Sequence, residues 1–324
     1  MAAPAPRLPP LPALALLAAL AALQAARAWL QWVRKLDALL LSLAGAREEA
    51  AVGRGGAAPP PSALPIRAPP ALELTVVVPA FNEEGRLPAF MDEALAYLTK
   101  RRDATGGQFT FEVVVVDDGS RDGTAGVAAA YARKHSAGAV RCIRLPRNSG
   151  KGAAVRRGAL SARGAYVLFA DADGATRFAD VSRLEDAMRE LGGRGVVAGS
   201  RAHLQSTAAV ARRSPLRNLL MHGFHALVRV GAGVSDVKDT QCGFKLFSRD
   251  VARLLFENCR LQRWAFDVEL FILAKRLSIP VREVSVTWSE IPGSKVSFVA
   301  ILSIAGELFT CVLAYSLGEW RIRV

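Results

Sequence analysis

The chain reads as an α/β fold on a mostly parallel sheet with helices on both faces, and three observations predict it. Short apolar, β-branched runs recur between residues 74 and 198. Segments with helical apolar spacing lie between them. Polar clusters rich in Asp, Asn, Gly and Ser follow four of the runs. Strands joined through helices need crossover connections, which place them side by side in parallel.

The strands are expected at 74–79, 111–117, 140–145, 166–171 and 196–198, and the helices at 87–101, 124–134, 153–162 and 181–191. Ahead of them, residues 8–33 are dominated by Leu and Ala, long enough as a helix to cross roughly 30 Å of hydrocarbon. Arg27 lies near one end of this run, where it can snorkel, and Trp29 and Trp32 suit an interface. A cleaved signal peptide is the competing reading, since Ala26-Arg27-Ala28 resembles a cleavage site. The charge-poor, proline-crowded start and the return of apolar residues at 36–43 favour an anchor. Arg34 and Lys35 follow the run whereas Arg7 precedes it, so the positive-inside rule puts the rest of the chain in the cytosol. The expected organisation is an anchor over 1–36, a Gly/Ala/Pro-rich linker over 37–72, a main domain over 73–295 and an apolar helical segment over 296–324. That last segment suits either a membrane-surface helix or a core helix; Glu307 and its length count against a span.

The 324 residues carry a net charge of +13 and are 51% hydrophobic. Such a charge favours anionic partners. Dispersed basic residues, with no zinc spacing and no aromatic RNA-binding motif, speak against nucleic acid. Cys142, Cys242, Cys259 and Cys311 show no CxxC spacing and no disulfide-scaffold density, as expected in a reducing compartment.

In an open α/β sheet ligands gather beyond the carboxyl ends of the strands. Here those ends carry Pro79-Ala80-Phe81-Asn82-Glu83-Glu84, Asp117-Asp118-Gly119-Ser120, Arg147-Asn148-Ser149-Gly150-Lys151-Gly152 and Asp171-Ala172-Asp173. Asp171 and Asp173, at i and i+2 of an extended segment, face the same way and offer hard oxygen donors suited to Mg2+ or Mn2+. Gly150 and Gly152 allow close backbone approach to a phosphate, and Lys151 adds a compact positive charge. Each cluster taken alone is also an ordinary turn or helix start. Neither a Walker loop nor a G-x-G-x-x-G fingerprint is present, which disfavours an ATPase or a dehydrogenase.

These four segments resemble the successive motifs of the GT-A fold, family 2 inverting glycosyltransferases, over residues 74 to about 295. The segments Asp239-Thr240-Gln241-Cys242-Gly243-Phe244-Lys245-Leu246-Phe247, Arg263-Trp264-Ala265-Phe266-Asp267-Val268-Glu269 and Trp288 to Lys295 are similar to the branch that glucosylates dolichyl phosphate at the endoplasmic reticulum. The resemblance implies a GT-A (Rossmann-like) sheet, UDP-glucose as donor, dolichyl phosphate in a bilayer as acceptor, and Mg2+ or Mn2+ as cofactor. Pro79, Glu83, Asp117, Asp118, Lys151 and Asp171 would bind the nucleotide sugar, one aspartate of the 117–118 pair facing it while the other braces the loop. Asp171 and Asp173 would hold the metal, with Asp173 and Asp267 in the catalytic set. Arg201 and Lys295 would meet phosphate; Arg212, Arg213, Lys245 and Arg263 are further cationic candidates. Asp267 and Glu269 either orient the acceptor or support the site as a capping network. The implied location is the endoplasmic reticulum membrane, single-pass, with the catalytic domain in the cytosol. Asn148-Ser149-Gly150 departs from the family's commoner Asn-Arg-Gly, removing one positive charge from that loop. Alternatives are another nucleotide sugar, such as a mannosyl donor, on the same chemistry, and a non-catalytic membrane-tethered nucleotide-binding protein. A phosphate-accepting receiver domain would need no extension over 239–295.

Overall fold

The computed structural model describes residues 20–22, 24–29, 31, 64–135, 138–204, 237–291 and 298–324, the side chains of the last segment from Ile304 onward. Contacts divide the chain into Met1–Ala57 with Leu313–Trp320 and Ala58–Val312 with Arg321–Val324. The elements in chain order are β1 (Leu72–Ala80), α1 (Leu87–Ala104), β2 (Phe111–Asp117), α2 (Thr124–Lys134), β3 (Val140–Arg144), α3 (Lys151–Leu160), β4 (Gly164–Ala170), α4 (Val181–Glu190), β5 (Val196–Ser200), β6 (Phe244–Ser248), α5 (Arg249–Asn258), α6 (Phe266–Arg276), β7 (Val281–Ser285) and α7 (Phe298–Ser316).

Among the described residues, one sheet of seven strands has the order β3-β2-β1-β4-β6-β5-β7. Every pairing is parallel except those of β6 with β4 and β5. The expected mostly parallel sheet is therefore found, with two strands beyond those the apolar runs marked. β1 has β2 on one side and β4 on the other, so the connections leave in opposite directions and a crevice opens at the strand ends. Because β6 runs against β4, with Phe244 opposite Ala170, its beginning rather than its end reaches that rim.

Alternation along the strands builds two apolar layers. Val76, Val78, Val113, Val115 and Leu168 join Phe90, Met91 and Leu95 of α1 and Leu184 of α4 in one buried cluster. On the other face α3 comes so close that a Cβ on Gly158 would lie 2.3 Å from Val77 Cγ1, and Phe266 of α6 packs 5.9 Å from Phe169 between ring centres. At the amino-terminal rim the buried Glu112 carboxylate accepts from Thr75 Oγ1 at 2.8 Å, Arg163 N at 2.9 Å and Arg141 Nη1 at 3.0 Å. That satisfied network closes the end of the sheet opposite the crevice.

The expected linker, 37–72, is described from residue 64, and there it docks: Arg249 Nη2 donates to Pro65 O at 2.6 Å and Ala68 O at 2.8 Å. Most of the expected anchor lies outside the described residues; those described at 20–22, 24–29 and 31 are helical. Among the described residues no helix is long and apolar enough to cross a membrane. In α7, Ile304, Leu308 and Cys311 are buried and Glu307 Oε2 accepts from Ala265 N at 3.3 Å, the contacts of a core helix, while Phe309 is exposed.

Candidate active site

The rim is assembled by short hydrogen bonds between successive strand ends. Asn82, in a left-handed conformation at φ 53°, donates its N–H to Ser120 Oγ at 3.0 Å and accepts from Arg121 N at 2.9 Å, locking the end of β1 to the end of β2. Next to it, Glu83 N donates to Thr124 Oγ1 at 2.8 Å, and the Glu83 carboxylate takes Arg86 Nε and Nη2, each at 2.6 Å. Pro79, Glu83 and Arg86 all border a cavity of about 540 Å3 beyond the strand ends.

The two aspartates after β2 divide their work. Asp117 is wholly buried; its Oδ1 accepts from Ser120 N at 3.0 Å, and its Oδ2 lies 3.3 Å from Arg144 Nε without an aligned hydrogen bond. Asp118 borders the cavity and accepts from Ser149 N at 2.7 Å and Gly150 N at 2.8 Å. Burial raises the Asp118 pKa, and the two amide hydrogen bonds offset part of that rise. Asp118 thus faces the cavity while Asp117 braces the turn.

The glycine loop differs from its expected role. Gly152 N donates to Arg263 O at 3.1 Å and Ala153 N to Gln262 O at 2.9 Å, so the first turn of α3 spends these amides on protein. A Cβ on Gly150 would lie 2.5 Å from Gln262 O, and one on Gly152 would lie 2.8 Å from Leu261 O and Phe266 Cβ. The glycines admit the 261–263 backbone rather than a phosphate. What the loop presents to the cavity is Asn148, Gly150 and the Lys151 side chain.

Lys151 Nζ lies 2.7 Å from Asp171 Oδ1. Burial acts to lower the Lys151 pKa, but the charges of Asp171 and Asp267 outweigh it and the net shift is upward, so the group stays an ammonium. Asp173 Oδ1 accepts from Ala175 N at 3.0 Å, and its carboxyl pKa is raised by burial first and by the Asp171 charge as well. Two hard-oxygen carboxylates lining one cavity, with Asp173 destabilised as an anion, fit a divalent cation that takes its remaining ligands from water and diphosphate. Among the described residues no group of three or more His, Cys, Asp or Glu forms a fuller cage.

The start of β6 supplies the floor under Asp171. Asp171 N donates to Gly243 O at 2.9 Å, and a Cβ on Gly243 would lie 1.9 Å from Asp171 Oδ2. Gly243→Ala therefore pushes the carboxylate off its seat. Because the obstacle is the end of a side chain, the fold absorbs the change: activity is expected to fall about a hundredfold, as for a misplaced reacting group, with a stability loss below about 1 kcal/mol. Paired initial-rate and thermal-unfolding measurements check this.

Behind that floor, the fully buried Lys245 donates to Cys242 O and to Asp267 Oδ1, both at 2.6 Å. Asp267, placed by sequence in the catalytic set, is buried and does not line the cavity; it underlies Lys245. Burial raises the Asp267 pKa, and Lys245 and Lys151 pull it back in part. Glu269 Oε2 accepts from Arg260 N at 2.9 Å and Leu261 N at 2.7 Å, which is the capping alternative. The Cys242 thiol, pushed up to about 11 by burial, stays protonated and acts as a small buried group.

The far wall comes from β5 and the segment after β7. Arg201 Nε and Nη2 grip Asp239 Oδ2 and Oδ1 at 2.7 and 2.9 Å, which holds the guanidinium over Trp288 at 5.6 Å and raises its pKa. Arg201, Arg263, Trp264 and Trp288 all border the cavity. Lys295, Arg212 and Arg213 lie outside the described residues. Sequence reasoning gave no role to Arg86, Trp264 or Trp288. The three-residue spacing of Glu83 and Arg86 before α1 was the available signal for the first, while the tryptophans had none beyond their place in a motif.

Comparison with known proteins bears on family and fold. The model of the family described as Glycosyl transferase family 2 matches residues 75–256. The dolichyl-phosphate beta-glucosyltransferase of Drosophila melanogaster is 52% identical over 258 residues, 78% of each chain. The Homo sapiens protein of that name is 48% identical over 78% of this chain and 79% of its own. That of Saccharomyces cerevisiae is 40% identical over 76% of each. Among solved structures, glucosyl-3-phosphoglycerate synthase from Mycobacterium tuberculosis in complex with UDP superposes with a TM-score of 0.55 at 19% identity, covering 81% of this chain and 86% of that one. At that identity the likeness speaks for the fold, and it supports the GT-A architecture. The same synthase has been solved with Mn2+, UDP-glucose and phosphoglyceric acid, at a TM-score of 0.54 and 20% identity, over 80% and 85% of the two chains. With a family model matched over residues 75–256 and relatives of one name aligned over more than three quarters of its length, the chain belongs to glycosyl transferase family 2 and, within it, to the dolichyl-phosphate beta-glucosyltransferases.

Proposed function

We propose that this chain moves glucose from UDP-glucose to the phosphate of dolichyl phosphate with inversion, giving dolichyl β-D-glucosyl phosphate and UDP, a glucose donor for lipid-linked oligosaccharide assembly in protein N-glycosylation. The observation that carries this reading is the convergence of Asp118, Asp171 and Asp173 with Lys151, Arg201 and Arg263 on one cavity at the switch point of the sheet. Asp171 and Asp173 would hold Mg2+ or Mn2+, which when bound supplies Lewis-acid neutralisation of the departing diphosphate.

The rest of the chemistry belongs to the chain's own residues. As the bond from the anomeric carbon to UDP lengthens, negative charge grows on the diphosphate, and Lys151 lies where a cation counters it. The acceptor is a phosphomonoester whose second pKa is near 6, so its oxygen is already anionic at neutral pH. No strong general base is required, and the cavity has no use for Asp267 as one. What two anionic substrates need is cationic guidance; Arg201, held by Asp239, and Arg263, packed beside the Gly150 loop, supply it at the cavity lining. Trp264 and Trp288 add apolar surface to the cavity lining, and water excluded there would limit hydrolysis of the donor.

A polyprenyl acceptor accounts for an apolar amino-terminal run in a chain whose chemistry is aqueous. We assign residues 1–36 to a single-pass anchor in the endoplasmic reticulum membrane, with the catalytic domain in the cytosol. The reading is tested by giving the full chain in detergent a panel of UDP- and GDP-sugars with dolichyl phosphate and identifying the lipid product by mass. A hexosyl lipid from UDP-glucose alone is expected; preference for a GDP-sugar, or no lipid product from any donor, refutes it.

A further inference from the structure

Lys151 makes a contact that the donor-site reading does not use. Its Nζ lies 2.7 Å from Asp171 Oδ1 and 3.0 Å from Oδ2, so the ammonium straddles both oxygens of a carboxylate assigned to a divalent cation. It is confined there. The rings of Phe169 and Trp264 lie 5.3 and 5.5 Å from the nitrogen, and 17% of the side chain is exposed. Asp171 is equally fixed, with its N–H on Gly243 O and its carboxylate over the Gly243 Cα. Neither partner can step away from the other without a reason.

A divalent ion arriving at Asp171 meets an ammonium at the same oxygens. Like charges so close repel strongly in a partly desolvated site, which disfavours the metal alone. A nucleoside diphosphate changes the balance, because its oxygens give the ammonium a second anionic partner and the metal further ligands. We infer that Lys151 is a counter-cation that couples metal binding to nucleotide binding: it occupies Asp171 in the protein alone and cedes that carboxylate to the divalent ion by moving onto the diphosphate. A compact ammonium on a flexible stem suits such a transfer better than a guanidinium, which is held by its planar fork. No bond is made or broken in the exchange. By linkage the nucleotide tightens metal binding and the metal tightens nucleotide binding by one and the same factor. Metal alone therefore binds more weakly than metal with a diphosphate present.

This inference rests on the donor-site reading, and one experiment separates the two. Mn2+ binding to the full chain in detergent is followed by electron paramagnetic resonance of free Mn2+, with and without UDP, for the wild type, Lys151→Met and Lys151→Gln. In the wild type UDP is expected to tighten Mn2+ binding by about tenfold or more, within the usual range of coupling between sites. Both neutral variants are expected to bind Mn2+ alone at least about fivefold tighter than the wild type and to lose most of the UDP enhancement. Two neutral replacements of different polarity guard against one that misfolds, and circular dichroism of each checks the fold. Variants that bind Mn2+ alone no better than the wild type, with the enhancement intact, overturn the role of Lys151 and leave the donor site standing. So does wild-type binding that ignores UDP. A wild type that binds no Mn2+ under either condition overturns the donor-site reading and this inference with it.

Discussion

Asp173→Asn is expected to lower kcat/KM for glucosyl transfer by on the order of a thousandfold, about 4 kcal/mol of transition-state stabilisation. The substitution is chosen because it removes charge and little else. Asparagine keeps an oxygen to accept from Ala175 N, so the turn at the end of β4 survives. The carboxyl it replaces is held as an anion at a cost, since burial and the neighbouring Asp171 both raise its pKa. Thermal stability should therefore stay level or rise slightly while activity collapses, the signature of a group kept for function against its own stability. Initial rates at saturating Mg2+ and Mn2+, paired with a melting curve, read both quantities. Near-normal turnover would remove Asp173 from the chemistry.

Lys245→Met has the largest expected effect on stability. Lys245 is fully buried, lies between the rings of Phe169 and Phe271, and bonds the Cys242 carbonyl and Asp267. Removing it strands the buried Asp267 carboxylate and frees the turn that carries Gly243. Breaking a buried pair from one side costs about 3–5 kcal/mol, here softened because Asp267 can take up a proton. A loss of about 3 kcal/mol lowers the melting temperature by roughly 6–12 °C in a domain of this size. Replacing both partners, as Lys245→Met with Asp267→Leu, is expected to recover most of that stability, because two apolar side chains satisfy each other. Activity should not recover, since nothing then ties the Cys242 carbonyl beneath Asp171. Calorimetry of the single and double variants, with rates measured alongside, separates the structural share of the pair from its positioning share.

What the sequence disclosed follows from how each element is stabilised. β1, β2 and β4 are largely buried and carry apolar runs of four or more residues toward their carboxyl ends, at 76–80, 113–116 and 167–170, and the polar residues after those runs marked the rim. β6 escaped notice because Lys245 interrupts its run; the charge is tolerated only through Asp267, 22 residues away in sequence. β7 is an edge strand carrying Arg282 and Glu283, so it has no apolar signature. The glycine loop was misread for a related reason. Glycine signals that something comes close, and the sequence cannot say whether that is a ligand or, as here, the backbone at 261–263. The Lys151 and Asp171 pair joins groups 20 residues apart through the sheet order, which no local pattern reports.

The most direct test is the structure of the lipid product itself. The full chain in detergent, given UDP-glucose, dolichyl phosphate and Mg2+ or Mn2+, should release UDP and form one glucosyl phosphate lipid. The large trans-diaxial coupling of its anomeric proton in the NMR spectrum would mark it as the β-anomer. An α-linked glucosyl phosphate, or free glucose with no lipid product, would contradict direct in-line transfer to the acceptor phosphate.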